Sequence, residues 1–179
     1  MSVAIPTEKP SVGIEEAMQQ PETAKKLVIF AWSGELDKIW PTLILATTSA
    51  AMGQDTTVFF TFWGLFPLLK NEKRITGENW MQKMLSMMNR GGIDHLKLSK
   101  MNFVGAGPAM MNSLAKSHKV ASPAELLEMA KEMGVKLIPC QMTMEMMGLK
   151  REDLIDGLEE PAGATTALVA AQGAATLFI

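Results

Sequence analysis

Three short β-type runs, each closed by a glycine or proline turn, limit what this chain can fold into. Leu27-Val28-Ile29-Phe30-Ala31-Trp32 is continuously apolar and stops at Ser33-Gly34. Thr56-Thr57-Val58-Phe59-Phe60-Thr61-Phe62 is β-branched and aromatic and stops at Trp63-Gly64. Val135-Lys136-Leu137-Ile138 stops at Pro139. Runs without strict polar alternation fit strands covered on both faces, which is the condition of a parallel sheet between helices. Helical patterns separate them. Leu43, Ile44, Ala46, Thr47, Ala50 and Ala51 precede a stop at Gly53, with Asp37 expected as the cap and Pro41 in the first turn. Ser122-Pro123-Ala124-Glu125 combines an N-cap, a proline at the first helical position and a capping-box glutamate, and Leu126, Leu127, Met129, Ala130 and Met133 make the apolar face behind it. Strands alternating with helices predict an α/β fold, a three-layer α/β sandwich with a mostly parallel sheet.

The 179 residues suit one domain, expected over residues 26–179 behind a flexible tail at 1–25, which is rich in Pro, Glu, Lys and Gln and has no signal-peptide apolar core. Residues 77–118 read as a Met-rich helical insertion, with one helix over Gly77–Asn89 and another after Gly105-Ala106-Gly107-Pro108. Arg151–Leu158 and Ala162–Gln172 read as helices, and Thr176–Ile179 as a terminal strand. Leu96–Phe103 fits either a short strand or an extended loop. No membrane span is expected: Gly53-Gln54-Asp55 divides the apolar stretch from Ile39 to Leu69, and the uncharged stretch from Pro161 to Ile179 is mostly Ala, Gly and Thr. The formal charge of -2, with acids and bases interspersed, gives no nucleic-acid footprint.

Ligand sites of such sheets lie beyond the carboxyl ends of the strands. Three loops qualify: Trp32-Ser33-Gly34, Phe62-Trp63-Gly64 and Pro139-Cys140-Gln141. The last holds the single cysteine of the chain. One thiol excludes an intrachain disulfide, rules out a dithiol cycle and fits a reducing, cytoplasmic compartment. Two readings of Cys140 stand. Free cysteine is often a small buried hydrophobe. Pro139 cannot donate to a ladder, however, so the strand should end there and a helical turn begin, and a helix N-terminus favours a thiolate. His95 and His118 lie in polar segments and give no sign of a Cys–His pair. Met142, Met144, Met146 and Met147 are soft donors near Cys140 that suit Cu(I), but methionine recurs throughout the chain and adaptable packing explains it too. Gly105-Ala106-Gly107-Pro108 lacks both the Lys-Ser/Thr of a phosphate loop and the third glycine of a dinucleotide fingerprint. The Pro-x-x-x-Thr-x-x-Cys arrangement of true peroxiredoxins is absent around Cys140.

Cys140-Gln141-Met142-Thr143-Met144-Glu145-Met146-Met147-Gly148 resembles a Cys-x-Met-Ser-Met-Asp-x-Met-Gly signature. Ser33-Gly34-Glu35-Leu36-Asp37-Lys38, Phe59–Leu65, Leu98-Ser99-Lys100-Met101-Asn102 and Arg151–Gly157 match in the same order. On these passages residues 27–179 resemble the DsrE/DsrF-like family of sulfur-relay proteins. Thr143 stands for Ser, Glu145 for Asp, and Pro139 for the small residue that commonly precedes the cysteine. The resemblance implies an α/β sandwich, a homo-oligomer, and a cysteine that carries sulfane sulfur covalently as a persulfide with no other cofactor. TusA-like and rhodanese-like proteins are the implied partners. Without a second cysteine in the chain, transfer must run between proteins. Ser33, Gly34, Trp63, Gly64, Gln141 and Met142 are the residues expected to line the site. Trp32 and Trp63 are candidate shields for the sulfur, and Gly34 and Gly64 candidate points of close loop approach. The competing expectation is a non-catalytic oligomeric binding protein with a Cu(I) site.

Overall fold

The structure is a computed structural model and describes residues 26–70, 80 and 91–179. Residues 1–25, expected to be a tail, lie outside the described residues, as does the helix expected over Gly77–Asn89 apart from Trp80.

Four parallel strands lie in the order β3-β2-β1-β4: β1 Lys26–Ala31, β2 Asp55–Phe60, β3 Lys136–Pro139 and β4 Ala175–Phe178. Helices cover both faces, so the chain has the α/β fold its alternating runs predict. Alternate side chains sort to opposite faces. Ile29, Ala31, Val58, Phe60 and Leu137 enter a large core with Ile39 and Leu43 of α1 (Leu36–Ala51) and Leu126, Leu127 and Ala130 of α3 (Pro123–Glu132). Phe59 and Ile138 face the other way, into a small cluster with Cys140 and Ala167, against which Phe30 and Ala162 pack. Ala167 belongs to α5, Ala164–Ala171, an eight-residue helix in which no other residue is buried. No helix among the described residues is long and apolar enough to cross a membrane.

The capping box at Ser122 forms in both directions. The helix after Gly105 also forms, as α2, Ala106–Ser117. Three local expectations change. Leu36, not a residue after Asp37, begins α1, and its N–H donates to the Lys97 carbonyl at 2.8 Å. A loop from elsewhere in the chain thus serves the helix end, and no side chain caps it. Asp37 instead accepts from the N–H and hydroxyl of Ser99, pinning that loop. Pro41 falls inside the helix, beyond the first turn. Of the two readings open for Leu96–Phe103, the extended loop holds, running to a 3₁₀ turn at Phe103–Gly105. Arg151–Leu158 is helical only as a 3₁₀ turn at Arg151–Asp153. There Leu154 bridges to Leu69, Ile155 N–H donates to Leu68 O, and the Arg151 guanidinium donates to the Ile155 and Leu158 carbonyls. Tertiary partners take the backbone groups that a helix would have paired internally.

Candidate functional site around Cys140

β3 ends at Pro139, which is still paired with Phe60 and whose missing N–H an edge strand tolerates. Cys140 follows with extended dihedrals, φ -74° and ψ 114°, and its N–H donates to Phe60 O at 2.8 Å. It is the N-cap residue of α4, Gln141–Met147, and its carbonyl accepts from Met144 N–H at 3.0 Å. The thiol therefore sits at the carboxyl end of the sheet, on the edge the sequence pattern selects.

α4 is held from the β2 side. Thr143, a buried polar residue, brings its hydroxyl to 3.1 Å from the Thr61 hydroxyl and accepts from Phe62 N–H at 3.2 Å. Phe62 occupies the left-handed region, φ 48°, where a non-glycine residue is costly, and this hydrogen bond helps hold it there. Met144 and Met147 point into the large core, while Met142 and Met146 are exposed. The sulfur atoms near Cys140 in sequence are thus dispersed between the large core, the small cluster and the surface. Among the described residues no group of three or more His, Cys, Asp or Glu is placed to hold a metal ion.

Cys140 itself is a free cysteine and only 6% exposed. Its apolar surroundings are Phe59, Ile138 and Ala167, with Phe30 and Ala162. The cover comes from a segment some twenty residues downstream. Glu159 N–H donates to Leu137 O, and Ala162 N–H to Pro139 O, each at 3.0 Å. Gln141 N–H donates back to Ala162 O at 3.0 Å, and Cys140 and Ala162 form a parallel bridge. The first N–H of α4, that of Gln141, is engaged by the Ala162 carbonyl in this state.

The other expected site residues divide into two places. Ser33, Gly34 and Trp63 line a cavity of about 450 Å³ with Trp32, Lys38 and His95, at the ends of β1 and β2. Cys140 is not part of its wall. Ser33 is buried and donates to the Glu35 carboxylate at 3.0 Å, and Lys38 pairs with that carboxylate at 2.6 Å while lying 5.2 Å from the centroid of the Trp32 ring. Trp32 stacks on Phe178 and Trp63 on Phe66, and neither ring belongs to the cluster that shields Cys140. Gly34 and Gly64 are where the loops meet. A Cβ on Gly34 would stand 2.3 Å from Trp63 O, and one on Gly64 would stand 2.0 Å from Ala31 O. Gln141 and Met142 lie on α4 beside the thiol, Gln141 with its amide on Glu145 Oε1 at 2.9 Å and Met142 exposed. Both histidines are exposed and outside the Cys140 cluster. Sequence reasoning missed Ala162 and Ala167, which cover the thiol, and the Thr61–Thr143 tie. A polar residue inside a Met-rich apolar motif was a signal for Thr143. The small uncharged residues after Pro161 gave no sign of which strand they would cover.

The sequence profile described as the DsrE/DsrF/DrsH-like family matches residues 23–178. The chain is 39% identical over 158 residues to the uncharacterized protein YrkE of Bacillus subtilis, covering 88% of this chain and 99% of that one. It is 38% identical over 159 residues to the protein of Allochromatium vinosum named sulfur carrier protein DsrE2, covering 87% and 98%. Among solved structures, the ychN protein from E. coli superposes with a TM-score of 0.53 at 16% identity, over 86% of this chain and 98% of that one, a likeness of fold.

Proposed function

The chain belongs to the DsrE/DsrF/DrsH-like family, and from that premise we propose that it is a sulfur carrier in a sulfur relay, loading Cys140 as a persulfide. The observation that carries the reading is the place of the lone cysteine: between β3 and α4, at the head of the Cys-Gln-Met-Thr-Met-Glu segment. A relative matching along nearly its whole length, 38% identical, is named a sulfur carrier protein. In the loading step the Cys140 thiolate attacks the terminal sulfur of a donor persulfide. A Cys140 Sγ–S bond forms, the donor S–S bond breaks, and the donor leaves as a thiolate. One S–S bond replaces another, so no external oxidant or reductant is needed. Unloading is the same exchange with an acceptor thiolate attacking. Rhodanese-like and TusA-like proteins are the donors and acceptors that the family resemblance implies. No second cysteine is present to collapse the persulfide into an intrachain disulfide. A reducing cytoplasm suits a carrier of this kind. Homo-oligomerisation is part of the same reading, supported by the exposed Leu168, Val169, Leu177 and Phe178 on an uncharged segment.

The test is intact mass after exposure to inorganic polysulfide under anaerobic conditions. The expected product carries one added sulfur, about 32 Da, removed by dithiothreitol and absent in Cys140→Ser. No adduct while a control carrier loads, or an adduct that survives Cys140→Ser, overturns the proposal.

A further inference from the structure

We propose that residues 159–163 are a strap whose local opening gates the Cys140 thiol. The strap serves sulfur transfer only through the proposed role of Cys140, and in that respect it rests on that role. Its physical basis is separate. An S–S exchange needs the attacking sulfur in line with the bond it breaks, and a residue only 6% exposed as a whole leaves a partner cysteine little approach. Something must move, and the packing singles out what moves most easily.

The walls around Cys140 are unequal. β2 and β3 are paired in register, and Val58, Phe60 and Leu137 beneath them are fully buried in the large core. α4 is tied to β2 through Thr143 and anchored in that core by Met144 and Met147. From Glu159 to Gly163 the strap has only small or charged side chains over the site, Leu158 before it being packed against the large core. Pro161, Ala162 and Gly163 are half-buried, and Glu159 and Glu160 are exposed. Three backbone hydrogen bonds hold it: Glu159 N–H to Leu137 O, Ala162 N–H to Pro139 O, and Gln141 N–H to Ala162 O. Segments with few buried apolar contacts open at the low end of the local stability range.

The two ends of the strap are firmer than its middle. Upstream, Leu154 is wholly buried and Arg151 holds the Ile155 and Leu158 carbonyls. Gly157 then turns the chain with φ 79°, a conformation glycine adopts without strain. Downstream, β4 is zipped along β1, with Ile179 N–H on Phe30 O and Trp32 N–H on Ile179 O. Between these anchors, Gly163 has no heavy atom within 4 Å of where a Cβ would stand, so open space lies on that side of it. Lifting 159–163 takes Ala162 off Cys140, leaving Ala167 of α5 as its remaining downstream cover, and frees the Gln141 N–H in one movement, without breaking the pairing of β2 and β3.

The experiment is alkylation of Cys140 by iodoacetamide in the full native chain, read by intact mass, beside amide exchange of the same protein. With three hydrogen bonds to break, labelling is expected to run roughly a hundredfold slower than in the urea-unfolded chain. Low urea should barely change it, because strap opening exposes little surface. Two substitutions should move the rate in opposite directions. Ala162→Pro removes the N–H that donates to Pro139 O and should raise the rate about five- to tenfold. Gly163→Ser adds a capping hydroxyl to α5 and restrains the open chain, and should lower it about two- to fivefold. Unchanged exchange at Ile29 and Val58 shows that Ala162→Pro left the sheet intact; if that variant does not fold, Gly163→Ser carries the test alone. Labelling at the unfolded-chain rate, a urea dependence as steep as global unfolding, or no response to Gly163→Ser overturns the strap. Alkylation reads access and not sulfur, so the two proposals fail separately. Gated alkylation without polysulfide loading sinks the carrier and keeps the strap. Loading with ungated alkylation does the reverse.

Discussion

Replacing Thr143 by valine and by serine separates what its hydroxyl does from what its methyl does. The side chain is 3% exposed, and its oxygen serves both Thr61 Oγ1 at 3.1 Å and Phe62 N–H at 3.2 Å. Valine keeps the volume and loses both hydrogen bonds. At about 1 kcal/mol net for each, with about 1 kcal/mol more for leaving a partly buried N–H unpaired, the loss is about 2–3 kcal/mol. Phe62 is itself exposed, so water can reach part of that site, which places the value toward the lower end. Serine keeps both hydrogen bonds and loses one buried methyl, about 1 kcal/mol including the small void. Helix propensity does not decide between them, because Thr, Val and Ser are close on that scale. In urea unfolding followed by far-UV circular dichroism, with m about 2 kcal/mol/M, the midpoint should fall by about 1–1.5 M for Thr143→Val and about 0.5 M for Thr143→Ser. A packing role alone gives the opposite order. If the valine variant matches the native protein, or outlasts the serine variant, the tie between α4 and β2 is not a hydrogen-bonded one.

Gly64→Ala should cost at least about 3 kcal/mol in thermal or urea melts, because its Cβ would stand 2.0 Å from the Ala31 carbonyl oxygen, a backbone atom that cannot rotate away. Gly53→Ala, where φ is 76° but no atom obstructs the Cβ, should cost only about 1–2 kcal/mol; equal losses at the two sites would contradict this account of Gly64. Asp37 gives a pH signature. Burial pushes its carboxyl up, but hydrogen bonds from the Ser99 hydroxyl and N–H outweigh that and hold it below the ordinary 3.8. A depressed folded value means that the stabilisation is fully present above the unfolded value and is lost as pH falls through the folded one. The stability gap between the native chain and Asp37→Asn should therefore be constant above about pH 5 and close as pH drops below about 4. A gap that persists under strong acid would show that Asp37 acts through packing.

Several elements are legible from local sequence because their causes are local. Pro139 lacks an N–H, which marks the edge or end of a strand, and Cys140 comes directly after it, where β3 gives way to α4. Ser122 and Glu125 find each other three residues apart, so their capping box needs no tertiary help. The continuous apolar run in β1 requires cover on both faces, which leads to a parallel sheet between helices. Other features depend on segments that meet only when the chain is folded. Asp37 looks like a cap and is a clamp, because Lys97 supplies its carbonyl to Leu36 and Ser99 comes within reach of the carboxylate. Arg151–Leu158 has a helical pattern, yet Leu68 and Leu69 compete for its backbone and win.

The lone thiol shows the division most clearly. Its place in the chain, its lack of a partner cysteine and its position at the sheet's carboxyl edge follow from residue order. Its burial does not. Ala162 and Ala167 carry side chains too small to announce a contact, and hydrogen bonds through their segment's backbone are independent of side-chain identity. Which strand end such a segment covers is decided by the anchors on either side of it, Leu154 in the core and β4 along β1, and those are properties of the folded chain.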